Sequence, residues 1–140
     1  MTSSEDRRPG RRRRRRRRRR PGADLAGARE IARRRFGVAR LHREQEDAIA
    51  AVLSGRDALA VLPTGFGKSL IYQVPALLLT RPVVAVSPLI ALMRDQERGL
   101  RKVGAPVVRL DSTLGAAARR EALARIAEGG SLVVLTTPET

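Results

Sequence analysis

Apolar positions change their period along the chain. Over residues 24–36, Leu25, Ala28, Ile31 and Ala32 share one face at helical spacing, and Gly37 is a plausible stop. A second helix is predicted from about Arg43 to Leu53. There Gln45, Ala48, Ile49, Val52 and Leu53 follow the i, i+3, i+4, i+7, i+8 pattern, and Ser54-Gly55 ends it. Next come short aliphatic runs without polar alternation. Ala58 to Leu62, Val83 to Val86, Pro106 to Leu110 and Leu132 to Thr136 each predict a strand buried on both faces. Between them, residues 88–103 predict a helix with Leu89, Leu92, Met93, Leu100 and Val103 on one side. Residues 114–127 predict another, stopped by Gly129-Gly130. Alternating strands and helices with short connections predict an α/β fold, a parallel sheet flanked by helices. Pro75 should kink or end the helix that starts near Lys68, because its nitrogen cannot donate to the Ile71 carbonyl.

Charge divides the chain. The formal net charge is +15, and residues 1–20 hold twelve arginines against Glu5 and Asp6. Residues 21–140 keep 17 basic and 12 acidic side chains. A segment with no apolar residue after Met1 buries nothing to offset its ordering entropy, so residues 1–22 are expected to form a disordered Arg-rich tail and residues 23–140 the folded part. Such a run binds phosphate polymers through counterion release, so a polybasic nucleic-acid-binding module is one reading of the whole. The chain has no cysteine and one histidine, His42, which excludes a disulfide framework and a zinc site of its own. No apolar segment follows the arginines as a secretory leader would need, and the longest apolar runs are too short to span a bilayer. An intracellular, cytoplasmic protein is expected, nucleoid-associated if bacterial and nuclear if eukaryotic.

Pro63-Thr64-Gly65-Phe66-Gly67-Lys68-Ser69 lies between a predicted strand and a predicted helix. Gly65 and Gly67 would let backbone N–H groups converge on phosphate oxygens. Lys68 offers a compact charge for the β- and γ-phosphates, the Ser69 hydroxyl suits Mg²⁺, and the helix start adds its dipole. Leu62 stands where the general phosphate-loop pattern has its first glycine, so the match is to the shorter form found in superfamily 2 helicases. An ordinary glycine-rich βα turn is the plainer alternative. So is a small complete kinase of the same loop class, with Asp111 as its second carboxylate, although Asp111-Ser112-Thr113 also reads as a capped entry to the next helix.

Residues 24–140 resemble the RecQ family of ATP-dependent DNA helicases. Phe36-Gly37 followed by Gln45 is similar to that family's adenine-reading motif, and Gly55 through Gln73 to its motif I. Ser87-Pro88-Leu89-Ile90-Ala91-Leu92-Met93-Arg94-Asp95-Gln96 resembles motif Ia, and Thr137-Pro138-Glu139 motif Ib. The resemblance implies the first RecA-like domain, with ATP and Mg²⁺ as cofactors and single-stranded or forked DNA as partner, unwound 3′ to 5′ in repair and recombination. By position, Gln45 would read adenine, Thr64, Gly65, Phe66, Gly67, Lys68 and Ser69 would hold the triphosphate, Ser69 would reach Mg²⁺, and Ser87 and Thr137 would face DNA. Ser87 before Pro88 reads equally as a helix N-cap, and Gln45 alone as a residue on a solvated helix face. Leu41-His42 stands where the family has an aromatic residue and arginine, so His42 could stack on a nucleotide or be simply exposed. The family's Asp-Glu-x-His motif II is not among the 140 residues. No catalytic carboxylate is therefore expected in them, nor hydrolysis, unwinding or high stability. An RNA-directed superfamily 2 helicase is the nearest alternative.

Overall fold

The computed structural model describes residues 21–140, so all but the last two residues of the expected Arg-rich tail lie outside the described residues. Helix α1 spans Pro21–Phe36, α2 Arg43–Leu53, α3 Leu70–Leu78, α4 Ile90–Lys102 and α5 Ala116–Glu128. Strand β1 spans Pro82–Val86, β2 Val107–Leu110 and β3 Leu132–Thr136. All three strands are parallel in the order β1-β3-β2, which is the expected α/β architecture with short connections. Val84 of β1 and Val108 of β2 both flank Val134.

The central strand sets the two faces. Val133 and Leu135 pack with Ala76, Met93 and Leu100 beneath α3 and α4. Leu132 and Val134 pack with Leu110 and Ala122 beneath α5. Residues two apart in a strand share a face, so the unbroken aliphatic run of β3 feeds both cores. A third cluster joins α1, α2 and α3 through Ala28, Ala32, Ile49, Leu53 and Val74, the small alanines letting the helices approach closely. Ser131 Oγ donates to the Leu79 carbonyl at 2.6 Å, tying the end of α3 to the start of β3.

Several sequence expectations are corrected here. Residues 58–62 form no strand: they pair with nothing, and Leu59 and Val61 are 93 % and 86 % exposed. A strand needs a partner for its backbone groups, and none of the three described strands lies beside this segment. Strand β1 is half-covered rather than buried. Val84 and Val86 point to the α5 face, but α5 packs on β2 and β3 and leaves them open. Within the helix predicted over 88–103, Met93 and Leu100 are buried as expected, whereas Leu89 and Leu92 are exposed. Pro75 does not end α3. It is buried inside the helix, which runs on to Leu78, and its carbonyl accepts from the Leu79 N–H at 2.9 Å. The proline falls at the sixth of nine residues, so only the Ile71 carbonyl loses a helical donor.

Candidate nucleotide-binding loop

The 63–69 loop rises from the exposed 58–62 segment and ends at the first turn of α3. Gly65 and Gly67 have φ of +80° and +74°, a region that costs a residue with a β-carbon about 1–2 kcal/mol. These two left-handed positions set the course of the chain through the loop. The N–H groups of Gly65, Gly67, Lys68 and Ser69 donate to no acceptor among the described residues. The Lys68 side chain is exposed and makes no hydrogen bond or ion pair among the described residues. Ser69 is at the N-cap of α3 and its hydroxyl makes no capping bond, leaving both lone pairs for a ligand. Backbone donors without acceptors, a cation and an open hydroxyl at a helix start are what a polyphosphate with its Mg²⁺ requires. The residues present fit that group.

Gln45 is held against the back of this loop. Helix α2 starts after His42, whose N–H donates to Gln45 Oε1 at 2.8 Å, half of a capping box. The Gln45 amide then donates from Nε2 to the carbonyls of Phe66 and Gly67, both at 3.0 Å. Gln45 is 2 % exposed, so it is not on a solvated helix face. The reach of its amide decides residue 67, because a β-carbon there would lie 2.8 Å from Gln45 Nε2. Above these bonds the rings of His42 and Phe66 stack, with centroids 4.0 Å apart and planes inclined by 25°. His42 also lines a cavity of about 920 Å³ with Arg29, Arg40, Arg43, Glu46 and Asp47. There Arg29 donates to both Glu46 oxygens at 2.6 and 2.9 Å, and these bonds hold the Glu46 carboxyl below its usual range. Just beyond the loop, burial pushes the Tyr72 phenol up, and its hydroxyl donates to Gln96 of α4.

Of the remaining predicted residues, Thr64 belongs to this loop, and Ser87 and Thr137 lie elsewhere. Thr64 is exposed in the turn that opens the loop. Ser87, after β1, donates its N–H to the Thr136 carbonyl at 2.9 Å, and its Oγ accepts from Leu89 N–H at 3.2 Å. Helix α4 starts at Ile90, so Ser87 closes a turn ahead of the helix and is not its N-cap. Thr137 follows β3 and is 5 % exposed, its hydroxyl 2.7 Å from that of Thr140. Ser87 and Thr137 thus sit together at the carboxyl ends of adjacent strands, β1 and β3.

Asp111, the other carboxylate considered for a phosphate site, is fully engaged. It is 1 % exposed, pairs with Arg109 and accepts from the Thr113 N–H at 2.8 Å. Arg109 also donates to Glu97 at 2.9 Å, and Arg101 donates to the other Glu97 oxygen at 2.9 Å. Burial alone would raise the Glu97 carboxyl, but these two guanidinium partners outweigh it and hold the group below its usual range. The network braces α4 against β2, the edge strand farthest from β1.

With this geometry in hand, likeness to known proteins is informative. A family model described as DEAD/DEAH box helicase matches residues 42–140. The chain is 38% identical over 118 residues to the ATP-dependent DNA helicase RecQ of Synechocystis sp., covering 84% of this chain and 25% of that protein. It is 34% identical over 116 residues to the ATP-dependent DNA helicase RecQ of Bacillus subtilis, 82% of this chain and 20% of that one. Over 69 residues it is 48% identical to the probable ATP-dependent DNA helicase RecS of Bacillus subtilis, 49% of this chain and 14% of that protein. The chain therefore spans a quarter or less of the length of these relatives.

Proposed function

We propose, since this chain belongs to the DEAD/DEAH box helicase family, that its 63–69 loop binds the triphosphate of ATP as part of a RecQ-like DNA helicase motor. The supporting observation is that the N–H groups of Gly65, Gly67, Lys68 and Ser69 have no acceptor, and the Lys68 side chain no partner, among the described residues. Lys68 would take the β- and γ-phosphates as a point charge, and Thr64 and Phe66 would complete the turn around them. Ser69 would hold Mg²⁺, which would supply positive charge to offset that of the triphosphate. Gln45 would read adenine, since its amide can donate to N7 and accept from the N6 amino group.

Ser87 and Thr137 mark the side proposed to meet a single DNA strand, with forks and junctions as the larger substrates. DNA rather than RNA is preferred because the relatives described are named as DNA helicases. Unwinding 3′ to 5′ would belong to a whole motor of that kind, working in repair and recombination on DNA in the nucleoid or nucleus. Among the described residues no helix is long and apolar enough to cross a membrane. The 140 residues hold no Asp-Glu-x-His sequence to orient an attacking water. They are therefore proposed to bind ATP without appreciable turnover.

The test is titration of the 140-residue chain and of Lys68→Ala with ATP and Mg²⁺, with hydrolysis measured in parallel. The side chain makes no hydrogen bond or ion pair among the described residues, so the substitution should remove all binding beyond what the Arg-rich tail supplies and leave circular dichroism unchanged. Equal affinity in the variant would sink the phosphate-loop reading, and rapid hydrolysis by the unsubstituted chain would sink the expectation of no turnover.

A further inference from the structure

We infer that Phe66 determines how much a nucleobase adds to binding at this site, because the phosphate loop itself occupies the base-reading face of α2. This inference rests on the proposed nucleotide site and specifies its regulation. Both ways in which a protein can hold a base are already taken. A primary amide has two N–H donors, and both donors of Gln45 reach loop carbonyls, those of Phe66 and Gly67 at 3.0 Å each. One lone pair of its oxygen is taken by the His42 N–H at 2.8 Å. An adenine N7 can therefore gain a donor from Gln45 only when a loop carbonyl lets go.

Stacking tells the same story. His42 is exposed and planar at the start of α2, and the Phe66 ring lies on it at 4.0 Å and 25°. The ring stands where a base would stack, and the carbonyl of the same residue takes the amide proton that a base would use. One residue thus imitates both contacts of a bound nucleobase. The 920 Å³ cavity beside His42 accordingly reaches His42 but not Gln45. Base entry must exchange one aromatic stack for another, so it gains little, and it pulls the crest of the phosphate loop away from α2. Phosphate contacts, which would use the loop N–H groups that have no acceptor among the described residues, need no such exchange.

The experiment compares ATP with inorganic tripolyphosphate, each with Mg²⁺, on the full 140-residue chain, taking binding to Lys68→Ala as the baseline due to the Arg-rich tail. The quantity read is the ratio of the two Lys68-dependent affinities. In Phe66→Ala the ratio should rise in favour of ATP by roughly two- to tenfold, the worth of one aromatic stack. Phe66→Leu, which keeps an apolar side chain but no ring, should move it the same way by less. A purely structural role for Phe66 would change both affinities together and leave the ratio alone, which overturns the inference. A ratio that falls would show that Phe66 props His42 beneath the base, and overturns it too. In both cases Lys68-dependent binding persists and the phosphate-loop reading stands. Loss of any difference from Lys68→Ala in the unsubstituted chain would instead refute that reading, and this inference with it.

Discussion

Replacing Gly67 with alanine strikes the point where helix α2 grips the loop, and its cost can be worked from the geometry. The backbone there has φ +74°, which a β-carbon makes unfavourable by about 1–2 kcal/mol. The new methyl would also lie 2.8 Å from Gln45 Nε2 and 3.4 Å from Leu70 Cδ1. Leu70 can yield a few tenths of an ångström. Gln45 cannot easily, because it is 2 % exposed and its amide is fixed at three points. Pushing it aside strands buried donors at about 1–3 kcal/mol, so the total should be about 2–5 kcal/mol. Gly65 is the internal control. Its φ is +80°, but among the described residues nothing beyond its chain neighbours lies within 4 Å of its would-be β-carbon, so Gly65→Ala should cost only the backbone part, about 1–2 kcal/mol. Urea unfolding followed by circular dichroism reads both. In a Gln45→Ala background the cost of Gly67→Ala should fall to that of Gly65→Ala, because the group it collides with is gone. Equal costs at the two glycines in the unsubstituted chain, or a Gly67→Ala cost that survives removal of Gln45, would refute the clamp.

Two further outcomes follow from the same contacts. In Gln45→Ala, ATP and GTP should compete equally for the site, since guanine's O6 replaces the adenine N6 donor that the amide would accept; retained discrimination in competition binding would remove Gln45 from base reading. Glu97 has a folded pKa below its usual 4.5, so its contribution to stability is fully present above that value and is lost as pH falls through the folded pKa. Glu97→Gln should therefore flatten the acid limb of an unfolding-versus-pH profile below about pH 5, and an unchanged limb would show that the Arg101 and Arg109 bonds do not survive in solution.

The elements most legible in the sequence were those whose stability is local or whose burial is complete. Helix α2 was expected from Arg43 to Leu53 and runs between those residues, because its apolar period, its glycine stop and its core contacts agree. Strand β3 was expected from Leu132 to Thr136 and lies there, a continuous aliphatic run at the centre of the sheet. The loop was legible for a different reason. Two glycines at that spacing are demanded by backbone geometry, and both do take positive φ. Nothing local announced that Gln45 would grip that loop 21 residues away, or that His42 would stack on Phe66. The only available hint was the ring at position 66, a bulky aromatic set between two glycines that leave room for it.

Residues 58–62 show where such reading stops. Ala58-Leu59-Ala60-Val61-Leu62 is as aliphatic as β3, yet Leu62 alone is buried and Leu59 and Val61 stand in solvent. An aliphatic run states that a segment would gain by burial; it does not supply the neighbour that buries it. Strand β3 has a partner on each side and helices on both faces, whereas the 58–62 segment has no paired strand among those described. The same shortage explains β1, whose Val84 and Val86 lie beyond the reach of α5, and Leu89 and Leu92 at the start of α4. These exposed residues flank the chain leading into the phosphate loop and the outer edge of β1. Aliphatic side chains left open at a sheet edge lose roughly 25 cal/mol for each Å² that burial would have removed from water. The part of that deficit at Leu59 and Val61 lies in the chain leading into the loop proposed to bind nucleotide, so the support of that loop depends less on the sheet than on the α2 clamp. Gln45 and His42 hold it at its crest, and helix α3 holds it at its end.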